Sequence, residues 1–89
     1  MNTSAIKPLA MRVIFDDDSM IVTLRDGRSL TVPLAYFPRL LTATPDQRGR
    51  VIISGEGVGL HWDELDEDIN VEYLMMGYVD RHDGYQNAA

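Results

Sequence analysis

A period of two puts Met20, Val22 and Leu24 on one face and, past Arg25-Asp26-Gly27, Leu30 and Val32 on one face. Such alternation marks half-buried strands, and a glycine-containing break between two of them marks a hairpin. This feature constrains the fold most, because a slip of one residue would turn every side chain to the wrong face. A two-residue loop at Asp26-Gly27 pairs Val22 with Thr31 and Leu24 with Ser29, which mixes the faces. A three-residue loop, Arg25-Asp26-Gly27, pairs Val22 with Leu30 and Met20 with Val32. It also sets Gly27 at the left-handed position that such loops require. The three-residue loop is therefore expected. Upstream, Met11, Val13 and Phe15 alternate with Arg12, Ile14 and Asp16, and Asp16-Asp17-Asp18-Ser19 supplies a turn. The first half reads as a three-strand meander.

Pro33 ends the third strand, and residues 34–43 read as a short helix with Leu34, Phe37 and Leu41 on one stripe and Leu40 beside it. Pro38 fits only in a first turn, where backbone N–H groups lack internal partners. Thr44-Pro45-Asp46-Gln47 then starts a fresh helical turn. Thr44 caps it, Pro45 takes the first position, and Gln47 completes a capping box. A second hairpin follows over residues 50–54 and 58–62, turning at Gly55-Glu56-Gly57. Residues 63–68 read as an acidic loop anchored by Leu65. Asn70 caps a last helix in which Val71, Leu74 and Met75 form the apolar stripe and Gly77 ends it. The expectation is a flexible segment over residues 1–10, a single domain over 11–79 and a loose tail over 80–89. The fold class is α+β: an antiparallel sheet in the order β-β-β-α-β-β-α with short helices packed on one face.

Charge narrows the function classes. Eight Lys and Arg face fourteen Asp and Glu, a net charge of -6. A conventional basic nucleic-acid binder is disfavoured, because neutralising phosphates needs excess positive charge. The imbalance is lopsided: residues 1–50 hold seven basic and five acidic side chains, whereas residues 51–89 hold one basic and nine acidic, a net of -8. The absence of cysteine excludes disulfide scaffolds, thiolate zinc sites and cysteine nucleophiles. No apolar run approaches the roughly 20 residues of a membrane span, and residues 1–7 lack a signal-peptide layout. A soluble cytoplasmic protein is expected.

Several local patterns invite chemistry. Gly55-Glu56-Gly57-Val58-Gly59 resembles a phosphate loop only in its glycines, since strand residues follow and no Lys-Ser/Thr pair is present. It reads as a hairpin turn. Asp66, Asp68 and Asn70 match positions one, three and five of a calcium loop, but Val71 stands where the turn glycine belongs and Gly77 where the bidentate glutamate belongs. The run reads instead as a solvated or partner-facing acidic patch. His61 beside these carboxylates could serve in acid–base work, yet it lacks a second convergent group. The alternative is a core Trp62 with its N–H paired and His61 on the opposite face. Arg25, Arg28, Arg39, Arg48 and Arg50 could form a basic strip. Internal pairing is favoured for Arg39 and Arg48, which flank helix ends. Tyr73, Met76 and Tyr78 exceed what one short helix can bury, so any left exposed would make an interaction surface.

The motifs Asp26-Gly27-Arg28, Val32-Pro33-Leu34, Phe37-Pro38-Arg39-Leu40 and Ala43-Thr44-Pro45 with Gln47-Arg48 fall in a familiar order. Gly55, Gly57, His61-Trp62, Leu65-Asp66-Glu67-Asp68-Ile69, Val71, Leu74 and Gly77 follow. Over about residues 11–77 this resembles the bacterial domain of unknown function 2442. That pattern usually has proline after the His-Trp pair, where this chain has Asp63. The resemblance implies a small α+β domain and assigns no catalytic residues. Some members are fused to helix-turn-helix modules, and some are encoded beside a small partner in toxin–antitoxin-like pairs. A helix-turn-helix is not expected in the residues after Gly77.

These readings converge on a non-enzymatic, antitoxin-like or regulatory adaptor with no cofactor or metal. Its expected partner is a small basic protein, met by Trp62, Asp63, Glu64, Asp66, Glu67 and Asp68. Direct nucleic-acid binding and membrane association are not expected, and a homodimer is. The alternative is an acidic DNA mimic that occupies the phosphate groove of a nucleic-acid-binding complex, as some phage-encoded inhibitors do.

Overall fold

The computed structural model describes residues 7–77. Strands β1 (Ala10–Phe15), β2 (Ser19–Leu24) and β3 (Ser29–Pro33) form an antiparallel meander in that order. Val22 pairs with Leu30 and Met20 with Val32, the register of the three-residue loop. The Leu24 N–H donates to the Arg28 carbonyl at 2.8 Å to close the loop, and Gly27 takes a φ of 97°. Asp26 Oδ1 accepts the Arg28 N–H and Oδ2 accepts Arg28 Nε, which fastens the loop's last corner. In the β1–β2 turn, Asp16 Oδ1 accepts the N–H groups of Asp18 and Ser19. Met20, Val22 and Leu24 are buried together, as the period of two predicts.

One strand departs from that pattern. β1 is irregular between Ala10 and Arg12, where an extra residue shifts the pairing. Ala10 is therefore buried, while Met11, expected inside, is exposed. β1 accordingly begins at Ala10, and the Leu9 carbonyl before it accepts the Arg25 N–H at 2.8 Å. The expected N-terminal segment lies mostly, and the expected tail wholly, outside the described residues.

The stretch expected as one helix over residues 34–43 is two elements. A 3-10 turn spans Leu34–Tyr36, Phe37 is extended at φ −132°, and helix α1 (Pro38–Leu41) starts afresh with Pro38 in its first turn. The cause is local: a proline ring crowds the preceding residue out of the helical region. Leu34, Phe37 and Leu40 still reach the core, but the break leaves Leu41 exposed. Helix α2 (Pro45–Gly49) carries the expected capping box, with Thr44 Oγ1 accepting the Gln47 N–H and Gln47 Oε1 accepting the Thr44 N–H.

The second half corrects the single-sheet expectation. Strands β4 (Ile52–Ser54), β5 (Gly59–Trp62) and β6 (Glu67–Asn70) form a separate antiparallel sheet in that order. Residues 63–68 are thus not one loop. Residues 63–66 turn the chain, and Glu67 and Asp68 already belong to β6, opposite Trp62 and His61. Helix α3 (Val71–Met75) follows, with the Asn70 side chain accepting the Tyr73 N–H as its cap.

Both sheets turn one face into a single core. Met20, Val22, Leu24 and Val32 come from the first, and Leu60, Trp62 and Ile69 from the second. Leu34, Leu40, Val71 and Leu74 complete it, each such side chain contributing about 1.5–3 kcal/mol when fully buried. The β4–β5 turn presses on β1 at Gly57. A Cβ there would lie 2.8 Å from the Ala10 carbonyl oxygen and 2.9 Å from the Ala10 nitrogen. Among the described residues no helix is long and apolar enough to cross a membrane.

Gly27 and Gly57 separate two costs. At Gly27, with φ 97°, an added Cβ meets nothing within 4 Å, so Gly27→Ala should lose about 1–2 kcal/mol from backbone strain alone. Gly57→Ala adds a collision with backbone that cannot rotate away, so its loss in urea denaturation should be clearly larger. Equal losses would argue against the close approach of the turn to β1.

Candidate functional site

Trp62 ends β5 with its ring in the core and 1% of its surface exposed. Alternation along Gly59–Trp62 sends Leu60 and Trp62 inward and leaves Gly59 and His61 on the outer face. The indole N–H donates to the Arg48 carbonyl at 3.0 Å, which answers the polar demand of a buried tryptophan. Arg48 also works through its side chain. Nε donates to the Leu40 carbonyl at 2.8 Å, which also accepts the Ala43 N–H, and Nη2 donates to the Leu41 carbonyl at 3.1 Å at the end of α1. The internal pairing expected of Arg48 is present.

Arg39 is paired internally as well. Its Nη1 donates to the Asp66 carbonyl, lies 3.6 Å from Glu67 Oε1 and lies 4.0 Å from Asp66 Oδ2. Glu67 is buried, on the same face of β6 as Ile69. A buried carboxylate is costly unless charge and hydrogen bonds compensate it, and Arg39 brings that charge from α1. The partner-facing roles expected of Trp62 and Glu67 therefore do not fit the molecule: both side chains point into the core. Leu65 packs against the same core and anchors the turn as expected.

The other four residues of the expected site lie together on the β5–β6 hairpin, with side chains turned to solvent. Asp63, Asp66 and Asp68 are 80%, 96% and 77% exposed. Glu64 is half-exposed and bonded, its Oε1 lying 2.5 Å from Arg50 Nη1 and its Oε2 accepting Gln47 Nε2 at 3.2 Å. Those bonds, the one from Gln47 foremost, hold its carboxyl below the usual range. A cleft of about 270 Å³ beside the turn is lined by these three side chains with Ile52, Trp62 and Asp63.

His61 sits between two aspartates. Asp68 Oδ1 lies 2.6 Å from Nδ1, across the β5–β6 ladder, and Asp63 Oδ1 lies 2.6 Å from Nε2. Hydrogen bonds to Asp68 first and Asp63 second raise its pKa above the ordinary histidine value. The calcium-loop reading fares poorly for a positive reason. Asp68 is engaged by His61, Asn70 caps α3, and Asp66 turns toward Arg39, so the three side chains do not converge. Among the described residues no group of three or more His, Asp or Glu side chains is placed to hold a metal ion.

Sequence reasoning identified Trp62 and His61 on opposite faces and the internal use of Arg39 and Arg48. It missed β6, and with it the pairing of His61 with Asp68. The alternation of Glu67 and Ile69 with Asp68 and Asn70 was the available signal, hidden by the charge of Glu67.

Arg39 and Arg28 offer a comparison of pairing environments. Arg28 meets Asp26 at 2.8 Å in an exposed loop, a setting in which ion pairs contribute about 0–1 kcal/mol. Arg39 bridges α1 to a buried carboxylate and a turn carbonyl, where charged hydrogen bonds are worth about 1.5–3 kcal/mol. Arg39→Ala should therefore lower stability in urea denaturation well beyond Arg28→Ala. Comparable losses would mean that the Arg39 contacts are as weakly coupled to folding as a surface pair.

The comparisons agree with this architecture. The family model for proteins of unknown function DUF2442 matches residues 10–80. A protein of unknown function from Rhodospirillum rubrum, known from a crystal structure, is 32% identical with a TM-score of 0.78, covering 90% of this chain and 99% of that one. An uncharacterised protein from Chromobacterium violaceum, solved by NMR in solution, shares the fold at 21% identity and a TM-score of 0.73, covering 90% of this chain and 75% of that one. No curated protein gives a significant match. With the family pattern running from β1 past α3, the chain belongs to the DUF2442 family of proteins of unknown function.

Proposed function

We propose that the protein is a non-enzymatic interaction module, of the antitoxin or regulatory-adaptor type, that binds a small basic protein through the β5–β6 hairpin. The observation that carries this reading is the exposure of Asp63, Asp66 and Asp68 on a hairpin whose turn is held from beneath by Trp62, Leu65 and Arg39. A charged surface already held in place loses little conformational freedom on binding. Concentrated negative charge also steers a cationic partner and favours it over neutral competitors. The net charge of -8 over residues 51–89 points the same way. Directly after β6, α3 exposes Tyr73 and Met76, side chains of the kind that fill interface centres. In this reading the protein works in the cytoplasm without a cofactor, touches no nucleic acid directly, and self-associates through the outer strands of its small sheets.

The test is capture from the native host lysate with and without nuclease, read by mass spectrometry. One small, basic, stoichiometric protein that survives nuclease supports the adaptor. A nucleic-acid-handling complex competed away by duplex DNA would replace the adaptor with a DNA mimic. With the partner in hand, Asp63→Asn with Asp66→Asn should weaken binding by about three- to tenfold at low salt. It should also flatten the dependence of affinity on ionic strength. Unchanged affinity at low salt would remove the hairpin from the interface.

A further inference from the structure

We infer that His61 is a proton-operated latch on the β5–β6 hairpin, its imidazolium tying the turn residue Asp63 to the strand residue Asp68 through both ring nitrogens. The argument begins with geometry. Each ring nitrogen lies 2.6 Å from a carboxylate oxygen, Nδ1 from Asp68 and Nε2 from Asp63. A carboxylate only accepts hydrogen bonds, and a neutral imidazole carries a single N–H. A neutral ring would therefore set a bare lone pair against one of the two carboxylates at contact distance. Both bonds coexist only when both nitrogens carry protons.

The surroundings contain little else that titrates toward the ring. On the outer face of this sheet, β4 places Ile52 opposite His61 and Ser54 beyond it, neither of them ionisable. β6 supplies Asp68 and the uncharged Asn70, whose side chain is occupied at the α3 cap. The turn supplies Asp63. Glu64 is closed on Arg50 and Gln47, while Asp66 and Glu67 are turned toward Arg39. His61 and its two aspartates thus form one unit of net charge -1 when the ring is protonated and -2 when it is not.

Loss of the proton removes one of the two bonds, and the ladder decides which. Asp68 stands directly opposite His61 in the β5–β6 register, whereas Asp63 begins the turn. The remaining N–H stays with Asp68, Asp63 is released, and the turn gains both charge and freedom. The two bonds raise the proton affinity of the folded state above that of the unfolded chain, where histidine titrates near about 6.5. The latch therefore stabilises the fold fully below about that pH and ceases to do so as pH rises through the folded-state value. The inference concerns the hairpin itself and holds whether or not it meets a basic partner.

The experiment is a titration of the full chain between about pH 5 and 9, reading the His61 ring nitrogens by long-range proton–nitrogen NMR, which distinguishes imidazolium from either neutral tautomer. His82, the second histidine in the sequence, is assigned through His82→Gln and serves as the internal reference. The expected result is a His61 midpoint above that of His82, with the ring an imidazolium below it. The backbone amides of Glu64 and Leu65 should shift with the same midpoint. Asp63→Asn and Asp68→Asn should each lower that midpoint, and Asp63→Asn should uncouple the turn amides from the ring. A midpoint no higher than that of His82 overturns the latch on the unmodified protein. Turn amides that titrate independently of the ring overturn it as well.

Discussion

The indole of Trp62 and the backbone of Arg48 hold together parts of the chain that no local signal connects. Trp62 is the largest fully buried side chain and sits where the second sheet faces the first. Its N–H finds an acceptor only because α2 brings the Arg48 carbonyl to it, while the Arg48 side chain reaches back to the carbonyls at the end of α1. One residue thus satisfies groups on two other elements at once. An unpaired polar group costs far more in a dry core than in water, so the helical connection and the second sheet are positioned by the same requirement.

The placement of charge in the second half follows from that core. β5 and β6 pair residue by residue, so each position's face is set by Trp62 pointing inward. Glu67, opposite Trp62, is drawn inside and meets Arg39, while Asp68, opposite His61, is left outside. The acidic run is consequently divided between two jobs. Glu67 belongs to the architecture, Glu64 braces Arg50 and Gln47, and Asp63, Asp66 and Asp68 remain on the surface. Composition alone counts these carboxylates as one patch; the pleat of β6 sorts them.

Much of the first half was legible because its signals are short-ranged. The register of β2 and β3 follows from matching Met20, Val22, Leu30 and Val32 across one glycine-containing loop. The caps at Thr44 and Asn70 depend on side chains within three residues of the N–H groups that they accept. Two failures nearby have equally local causes: Phe37 is pushed out of the helix by Pro38, and the bulge beside Met11 turns that side chain outward. The candidate site was less legible. Its surface aspartates could be named from the sequence, but their separation from Trp62 and Glu67 could not, because a six-residue acidic run does not announce where a turn stops and a strand begins.

By itself, the sequence determined the meander and its register, the helix caps and the concentration of negative charge after residue 50. Each of these rests on periodicity or on hydrogen bonds between close neighbours, which the order of residues states directly. Tertiary structure alone decided that β6 exists, that the sheet is two sheets, and that His61 lies between two aspartates. β6 buries a glutamate, and the fold delivers a cation to it. Arg39, which delivers it, lies 27 residues before the Asp66 carbonyl that it also binds.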